Sequence, residues 1–228
     1  LRRAAILTAL ALLVFLGSCG ENIDTDPPQS PLVLPHTMET DTLAVESGTD
    51  AVPECNCILI EWIRNTEEDL KEYEIFRSGH DTSGFVSLTI VAGTESTYLN
   101  RDLQFIRYYY YMVARDQLGN TSNPSGIADY RLTSKAIPKT PAKWETLYAD
   151  SIGFEWTWDG GLEGVFLTRL FSLDEDSTVW MGWTNAYERP LRCYSPPVSA
   201  GDYKWRVDYI AVGQNEGSES IWTPFCRR

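Results

Sequence analysis

The sequence runs to 228 residues, with 19 Lys and Arg against 32 Asp and Glu and a formal net charge of −13. That surplus of negative charge repels phosphate backbones and anionic headgroups, so no nucleic acid partner is expected and basic residues do not supply membrane attachment. Hydrophobic residues at 43% and aromatic residues at 12% mark a globular chain, long enough for one large or two ordinary domains.

Arg2 and Arg3 precede an apolar run over 4–16, AAILTALALLVFL, interrupted only by Thr8. A membrane-spanning helix needs about 20 apolar residues, so this run is too short and reads as the hydrophobic region of a secretory signal. The run ends in Leu16-Gly17-Ser18-Cys19. This segment resembles a bacterial lipoprotein signal peptide. The resemblance implies a signal over 1–18, cleavage before Cys19, and a lipidated Cys19 that ties the chain to a membrane. Two or three acyl chains make such an anchor stable where one is marginal. It also implies a cell-envelope location. In a double-membraned host Gly20, where an inner-membrane retention signal has Asp, directs the protein to the outer membrane. Glu21, Asp24 and Asp26 are similar to surface-export signals. The alternative is an ordinary secretory signal with an incidental Cys19. Loss of 1–18 removes Arg2 and Arg3, leaving 17 Lys and Arg against 32 Asp and Glu.

Residues 19–30 read as a polar tether, Pro- and Asp-rich, with an r.m.s. reach of roughly 20 Å. Leu32 to Val45 supplies a first edge strand, broken by Pro31 and Pro35.

Beyond residue 50 the chain alternates with period 2. Ile58, Ile60 and Trp62 form one stripe; Ile152, Phe154 and Trp156 repeat it. Tyr108, Tyr110, Met112 and Ala114 form another, matched by Tyr203, Trp205, Val207 and Tyr209. Trp62 and Trp156 are 94 positions apart and Tyr108 and Tyr203 are 95 apart, so the chain reads as a duplication of a unit of about 95 residues. Short alternating runs punctuated by Gly, Pro, Asn and Asp predict about seven antiparallel strands per unit and no helix. The expected fold is therefore all-β, a pair of sandwiches of immunoglobulin type.

The first unit resembles a fibronectin type III domain. The resemblance rests on Trp62, on "DLKEYEIFRS" with Tyr73 and Ile75, on "STYLNRD", and on "YYYYMVARDQLGNTSNPS" with Tyr108. It implies that Tyr73 and Ile75 face the core and that the Tyr108 hydroxyl caps a corner. The turn Gln104-Phe105-Ile106-Arg107 departs from the Gly or Pro common there. The second unit keeps the Trp and a Tyr-x-Trp-Arg-Val strand after Gly201, but its middle strands match poorly. The expected domains are 31–134 and a diverged 135–228. The fold implies no activity by itself.

Besides Cys19 there are Cys55, Cys57, Cys193 and Cys226, which allow three pairings. On a straight strand Cys55 and Cys57 lie about 6.6 Å apart, so pairing them needs a bend. Cys193 and Cys226 fall near strand ends of one unit, and a Cys193–Cys226 disulfide is the expected pair; four free thiols are the alternative.

His36 and His80 lie in polar segments without neighbours at ligand spacing, so no zinc site or cofactor is expected. No nucleophile elbow, phosphate loop or zinc-protease motif is present. Glu67-Glu68-Asp69 and Asp174-Glu175-Asp176 read as solvated turns, with a hidden hydrolase as the remote alternative. Seven of eight tryptophans lie in the second unit. Trp180 and Trp183, three apart, face opposite ways on a regular strand; with Trp158 or Trp222 one of them makes a platform for a glycan or protein partner, unless they fill the core or the interface between units. The expectation is a non-catalytic, lipid-anchored binding or spacer module, with carbohydrate binding as the alternative.

Overall fold

The computed structural model describes residues 24–37, 39, 46–161, 163–188 and 190–228. Residues 1–18, for which a signal is expected, and Cys19 lie outside the described residues. The remainder is all-β, built as two sandwiches. In the first, β1 (Leu32–Val33), β2 (Asp50–Ala51), β3 (Ile58–Ile63) and β6 (Thr97–Asn100) form one sheet around β3. Facing it are β4 (Leu70–Ser78), β5 (Val86–Ala92), β7 (Arg107–Asp116) and β8 (Ala128–Leu132), in the order β8-β7-β4-β5.

The second sandwich repeats the plan. β9 (Ile137–Thr140), β11 (Ser151–Thr157) and β14 (Arg192–Pro197) make the small sheet. β12 (Val165–Ser172), β13 (Ser177–Asn185) and β15 (Gly201–Ile210) make the large one, with a last strand split into β16 (Glu216–Glu219) and β17 (Thr223–Arg227); the short β10 (Thr146–Leu147) flanks β17. Each sandwich has the strand plan of a fibronectin type III-like domain.

The alternating stripes do what period 2 requires. Ile58, Ile60, Trp62, Tyr73, Ile75, Tyr108, Tyr110 and Met112 pack one core, and Ile152, Phe154, Trp156, Phe166, Tyr203, Trp205 and Val207 pack the other. The two clusters share no residue; the first ends at Leu132 and the second begins at Ala136. Complete burial of Trp205 stabilises its core by about 4–6 kcal/mol gross, an upper figure.

The duplication extends to individual bonds. Tyr108 Oη accepts the Gln104 amide N–H at 3.0 Å, and Tyr203 Oη donates to the Ser199 carbonyl at 2.8 Å, so each tyrosine clamps the residue four before it. Gln104 thus serves the corner without the Gly or Pro common there in fibronectin type III domains. Residues 24–30 form no strand and run along the first sandwich: the Gln29 amide donates to Glu67 Oε1 at 2.7 Å, and Asn120 Nδ2 donates to the Asp24 carbonyl at 3.2 Å.

The cysteine pairing differs from the expected one. Cys193 and Cys226 are free thiols, and the bridge is Cys55–Cys57. Cys193 sits on β14 in the small sheet, bonded to Thr168 Oγ1 at 3.2 Å, whereas Cys226 sits on β17 in the large sheet beside Thr146. Cys193 points into the core of the sandwich, whereas Cys226, opposite Asp202 and next to the core residue Phe225, points to the other face of its sheet. Cys55 and Cys57 lie in a bend before β3 that brings their Cα atoms to 5.2 Å.

Candidate functional site

The two large sheets are one. β8 and β16 pair in parallel, Arg131 opposite Glu216 and Leu132 opposite Gly217, giving a single ten-stranded sheet through both sandwiches. The Arg131 amide donates to the Asn215 carbonyl at 2.9 Å and the Thr133 amide to the Gly217 carbonyl at 3.0 Å. Gly217 is required by close approach: a Cβ there would stand 2.4 Å from the Tyr209 carbonyl oxygen and 2.8 Å from Tyr130 Oη. Arg107 pairs with Asp129 of its own unit and, at 3.4 Å, with Glu216 of the other.

Beneath this seam lies a buried ionic cluster. Arg169 and Arg206 are direct cross-strand neighbours on β12 and β15, projecting from the face opposite the core. Two like charges so placed repel. Three carboxylates resolve the repulsion. Arg169 Nε donates to Asp208 Oδ2 at 2.8 Å, and Arg206 Nη1 and Nη2 donate to the two oxygens of Glu219 at 2.8 and 3.0 Å. Glu46 comes from the first sandwich and bridges both guanidiniums, each at 2.5 Å. In an isolated second sandwich this face would meet solvent; here residues 46–53 cover it, and Arg169, Arg206, Asp208 and Glu219 are all buried. Lys135, in the connection between the units, donates Nζ to the Val52 and Pro53 carbonyls at 2.6 and 3.1 Å.

Burial pushes the carboxyls of Glu219, Asp208 and Asp50 up, against the pull of Arg206 on the first two and of His36 on the third. Burial works against the Arg206 charge, but Asp208, Glu219 and Glu46 outweigh it and hold the guanidinium ionised. Burial lowers the pKa of His36, whose ring packs edge-on against Tyr130 with Nδ1 3.7 Å from Asp50. His36 therefore belongs to the covered junction and not to a polar loop. Removing one partner from such a cluster strands a buried charge, at a cost of about 3–5 kcal/mol.

Carboxylate oxygens of Glu46, Asp208 and Glu219 lie within 4.8 Å of one another, a spacing that suits a cation. Two guanidiniums already stand among them and supply the positive charge, so the donors fit an ion-pair network and not a metal. A second acidic group joins Asp24, Asp69 and Asp116. Both Asp116 oxygens there already accept hydrogen bonds, Oδ1 from the Leu118 and Asn120 amides and Oδ2 from Asn120 Nδ2.

The four tryptophans singled out in the sequence are not gathered. Trp180 faces inward, opposite Leu170, and stacks on Phe154 with ring centroids 5.6 Å apart. Trp183, opposite Leu167, faces outward and is 47% exposed. Trp222 lies on the outer face with Lys204 Nζ and the Arg206 guanidinium each 4.8 Å from its ring. Trp158 is half-buried against Phe166 and Tyr209, and its Nε1 donates to the Ser134 carbonyl at 3.0 Å. It walls an open cleft of about 490 Å³ beside the seam, with Arg131, Thr133, Glu163 and Glu216. Trp144 is 71% exposed. Leu173 to Asp176 form an exposed turn between β12 and β13, so these carboxylates do not converge on a pocket.

Sequence reasoning missed Glu46, Arg169, Arg206, Asp208 and Glu219. One signal was present: β12 is apolar on both faces around Arg169, with Leu167 on the face away from the core, and a strand apolar on both faces is covered on both.

No protein-family model matches the chain, and no curated protein matches it. Among solved structures, the FN1–FN3 domains of chicken CNTN1 align over 89% of this chain and 68% of theirs, at 13% identity and a TM-score of 0.43. A two-domain fibronectin type III segment of chicken tenascin aligns over 88% of this chain and 98% of its own, at 11% identity and 0.31. The Clostridium perfringens spore cortex lytic enzyme SleM aligns over 45% of this chain and 28% of its own, at 17% identity and 0.31.

Proposed function

We propose that the chain is a non-catalytic, lipid-anchored module of the cell envelope, acting as a rigid spacer that presents a surface for protein–protein interaction. The observation that carries this reading is the continuity of the sheet across β8 and β16, backed by the Glu46–Arg169–Arg206–Asp208–Glu219 cluster. Three residues separate the two cores, and their backbone is tied to the second sandwich: Thr133 donates to Gly217, and the Ser134 carbonyl accepts from Trp158 Nε1 and Ser218 Oγ. A pair of domains so joined holds a fixed separation, which suits a spacer. The anchor rests on Leu16-Gly17-Ser18-Cys19. Cross-linking and capture from intact membranes, comparing wild type with Cys19→Ala, tests both parts. The expected result is that Cys19→Ala leaves the membrane fraction and loses the captured partner. A variant that stays with the membrane removes the anchor, and a wild type that captures nothing removes the interaction role.

Carbohydrate binding is the second reading. It is favoured by the Trp158 cleft, which sets an indole beside Thr133, Arg131 and two carboxylates, and by the exposed Trp183. Titration with a broad glycan panel should quench tryptophan fluorescence; no response across the panel removes this reading.

A further inference from the structure

We propose that the Cys55–Cys57 bridge is a thiol–disulfide exchange site, taking the thiolate of a small thiol or of a cysteine-bearing peptide. Four observations carry this. First, the bridge joins residues only two apart. A cross-link stabilises a fold in proportion to the logarithm of the loop it closes, so a span this short contributes least as a staple. Second, the two sulfurs differ in access: Cys57 is fully buried, whereas Cys55 is half-buried between the exposed Glu54 and Asn56. Third, Arg101 Nη1 stands 3.8 Å from Cys55 Sγ. A neighbouring guanidinium favours the thiolate, the form that attacks and leaves. Fourth, the bend is held without the bridge. The Leu103 amide donates to the Asn56 carbonyl at 2.9 Å, and Lys135 Nζ binds the Val52 and Pro53 carbonyls. Opening the bridge therefore leaves the surrounding fold in place.

The exchange balances as follows. An external thiol loses its proton as its sulfur attacks the accessible Cys55 Sγ, the bond to Cys57 Sγ breaks, and the buried Cys57 leaves as a thiol that takes up that proton. The product is a mixed disulfide on Cys55. A second external thiolate then attacks the external sulfur of that bond and displaces the Cys55 thiolate, which the Arg101 guanidinium stabilises. Two external thiols are oxidised to one disulfide, and the protein bridge is reduced to two thiols by the same two electrons. In the reverse direction Cys55 is the nucleophile and Cys57 resolves the mixed disulfide. Cys193 cannot substitute, because burial pushes its thiol up to about 11.

The test incubates the full chain with millimolar glutathione and, separately, with a peptide carrying one cysteine, then quenches by alkylation. A glutamyl endoprotease cuts after Glu54 and Glu61 and releases residues 55–61, which separates this pair from every other cysteine before mass spectrometry. The expected result is that the fragment gains an external thiol or two alkyl groups while hydrogen exchange of β3 stays unchanged. With oxidised glutathione as the reagent, Cys57→Ser should hold on Cys55 a mixed disulfide that no second protein sulfur can resolve, one glutathione thiolate leaving, and Arg101→Gln should slow its formation by about 3- to 10-fold. Reaction with the peptide alone assigns a protein thiol as the partner, and reaction with glutathione assigns a small one. A fragment that stays bridged with both thiols until denaturant unfolds the chain overturns the proposal. This reading of the wild type stands even where a variant fails to fold.

Discussion

Ser125 and Ser220, 95 positions apart, make the same hydrogen bond: Ser125 Oγ accepts the Met112 amide N–H at 3.0 Å, and Ser220 Oγ accepts the Val207 amide N–H at 2.9 Å. Met112 and Val207 are themselves 95 apart. Ser220 lies in the gap between β16 and β17, and Ser125 in the gap between the isolated Arg115–Thr121 bridge and β8, so each serine supplies the acceptor that a ladder partner would have supplied. Alanine at either position leaves a buried amide without that acceptor. Each substitution is expected to cost about 1–3 kcal/mol in urea unfolding, and the two costs should agree to within a factor of about two. A cost below the error of the measurement at either serine contradicts the equivalence.

Gly217→Ala attacks the seam and neither core. The new methyl group meets the Tyr209 carbonyl and Tyr130 Oη, so β16 must move away from β8. Overpacking of this kind costs about 1–3 kcal/mol. The amides of Arg131 and Thr133, which donate to Asn215 and Gly217, should lose hydrogen-exchange protection first, and calorimetry should resolve two unfolding transitions where wild type shows one. A single transition with full protection at both amides shows that the seam tolerates the methyl group.

The buried carboxyls set a pH dependence of definite sign. Burial raises Glu219 well above its ordinary value, so the folded chain keeps a proton there that the unfolded chain releases near pH ~4.3. The stabilisation is complete below the unfolded value and is lost as pH rises through the folded one. Asp50 and Asp208, raised by burial, act with the same sign. His36, lowered by burial, acts oppositely: its contribution is complete above pH ~6.5 and is lost as pH falls below that value through the lower folded one. Comparison with Glu219→Gln isolates the one group. As pH rises above ~4.3 the wild type should lose stability relative to the variant, by at most about 1.4 kcal/mol per pH unit, until the folded chain also releases the proton. Parallel curves show that Glu219 ionises as freely in the folded chain as in the unfolded one.

Tryptophan substitutions should separate packing from exposure. Trp205→Ala empties the centre of the second core and is expected to cost about 3–5 kcal/mol. Trp183→Ala, on the outer face of β13, should stay within about 1 kcal/mol. If Trp183→Ala proves as damaging as Trp205→Ala, the outward position of Trp183 is wrong.

The strands and both cores were legible because a period of 2 is a local property: Tyr108, Tyr110, Met112 and Ala114 announce one buried face without reference to anything distant. The parity that separates Trp180 from Trp183 is local in the same way. Which of the two faces inward depends on the pairing of β13 with β12, where Leu170 meets Trp180. The junction is less legible still. Arg169 and Asp208 occupy outward strand positions that ordinarily meet water, and they are buried only because residues 46–53 reach them across more than 100 positions of sequence. The cysteine expectation failed through its assumption of a straight strand, since the bend before β3 brings Cys55 and Cys57 together.

A chain of beads on slack string absorbs a tug by swivelling. Here the parallel lock of β8 on β16 removes the swivel, so a load applied at one end passes undiminished to the other.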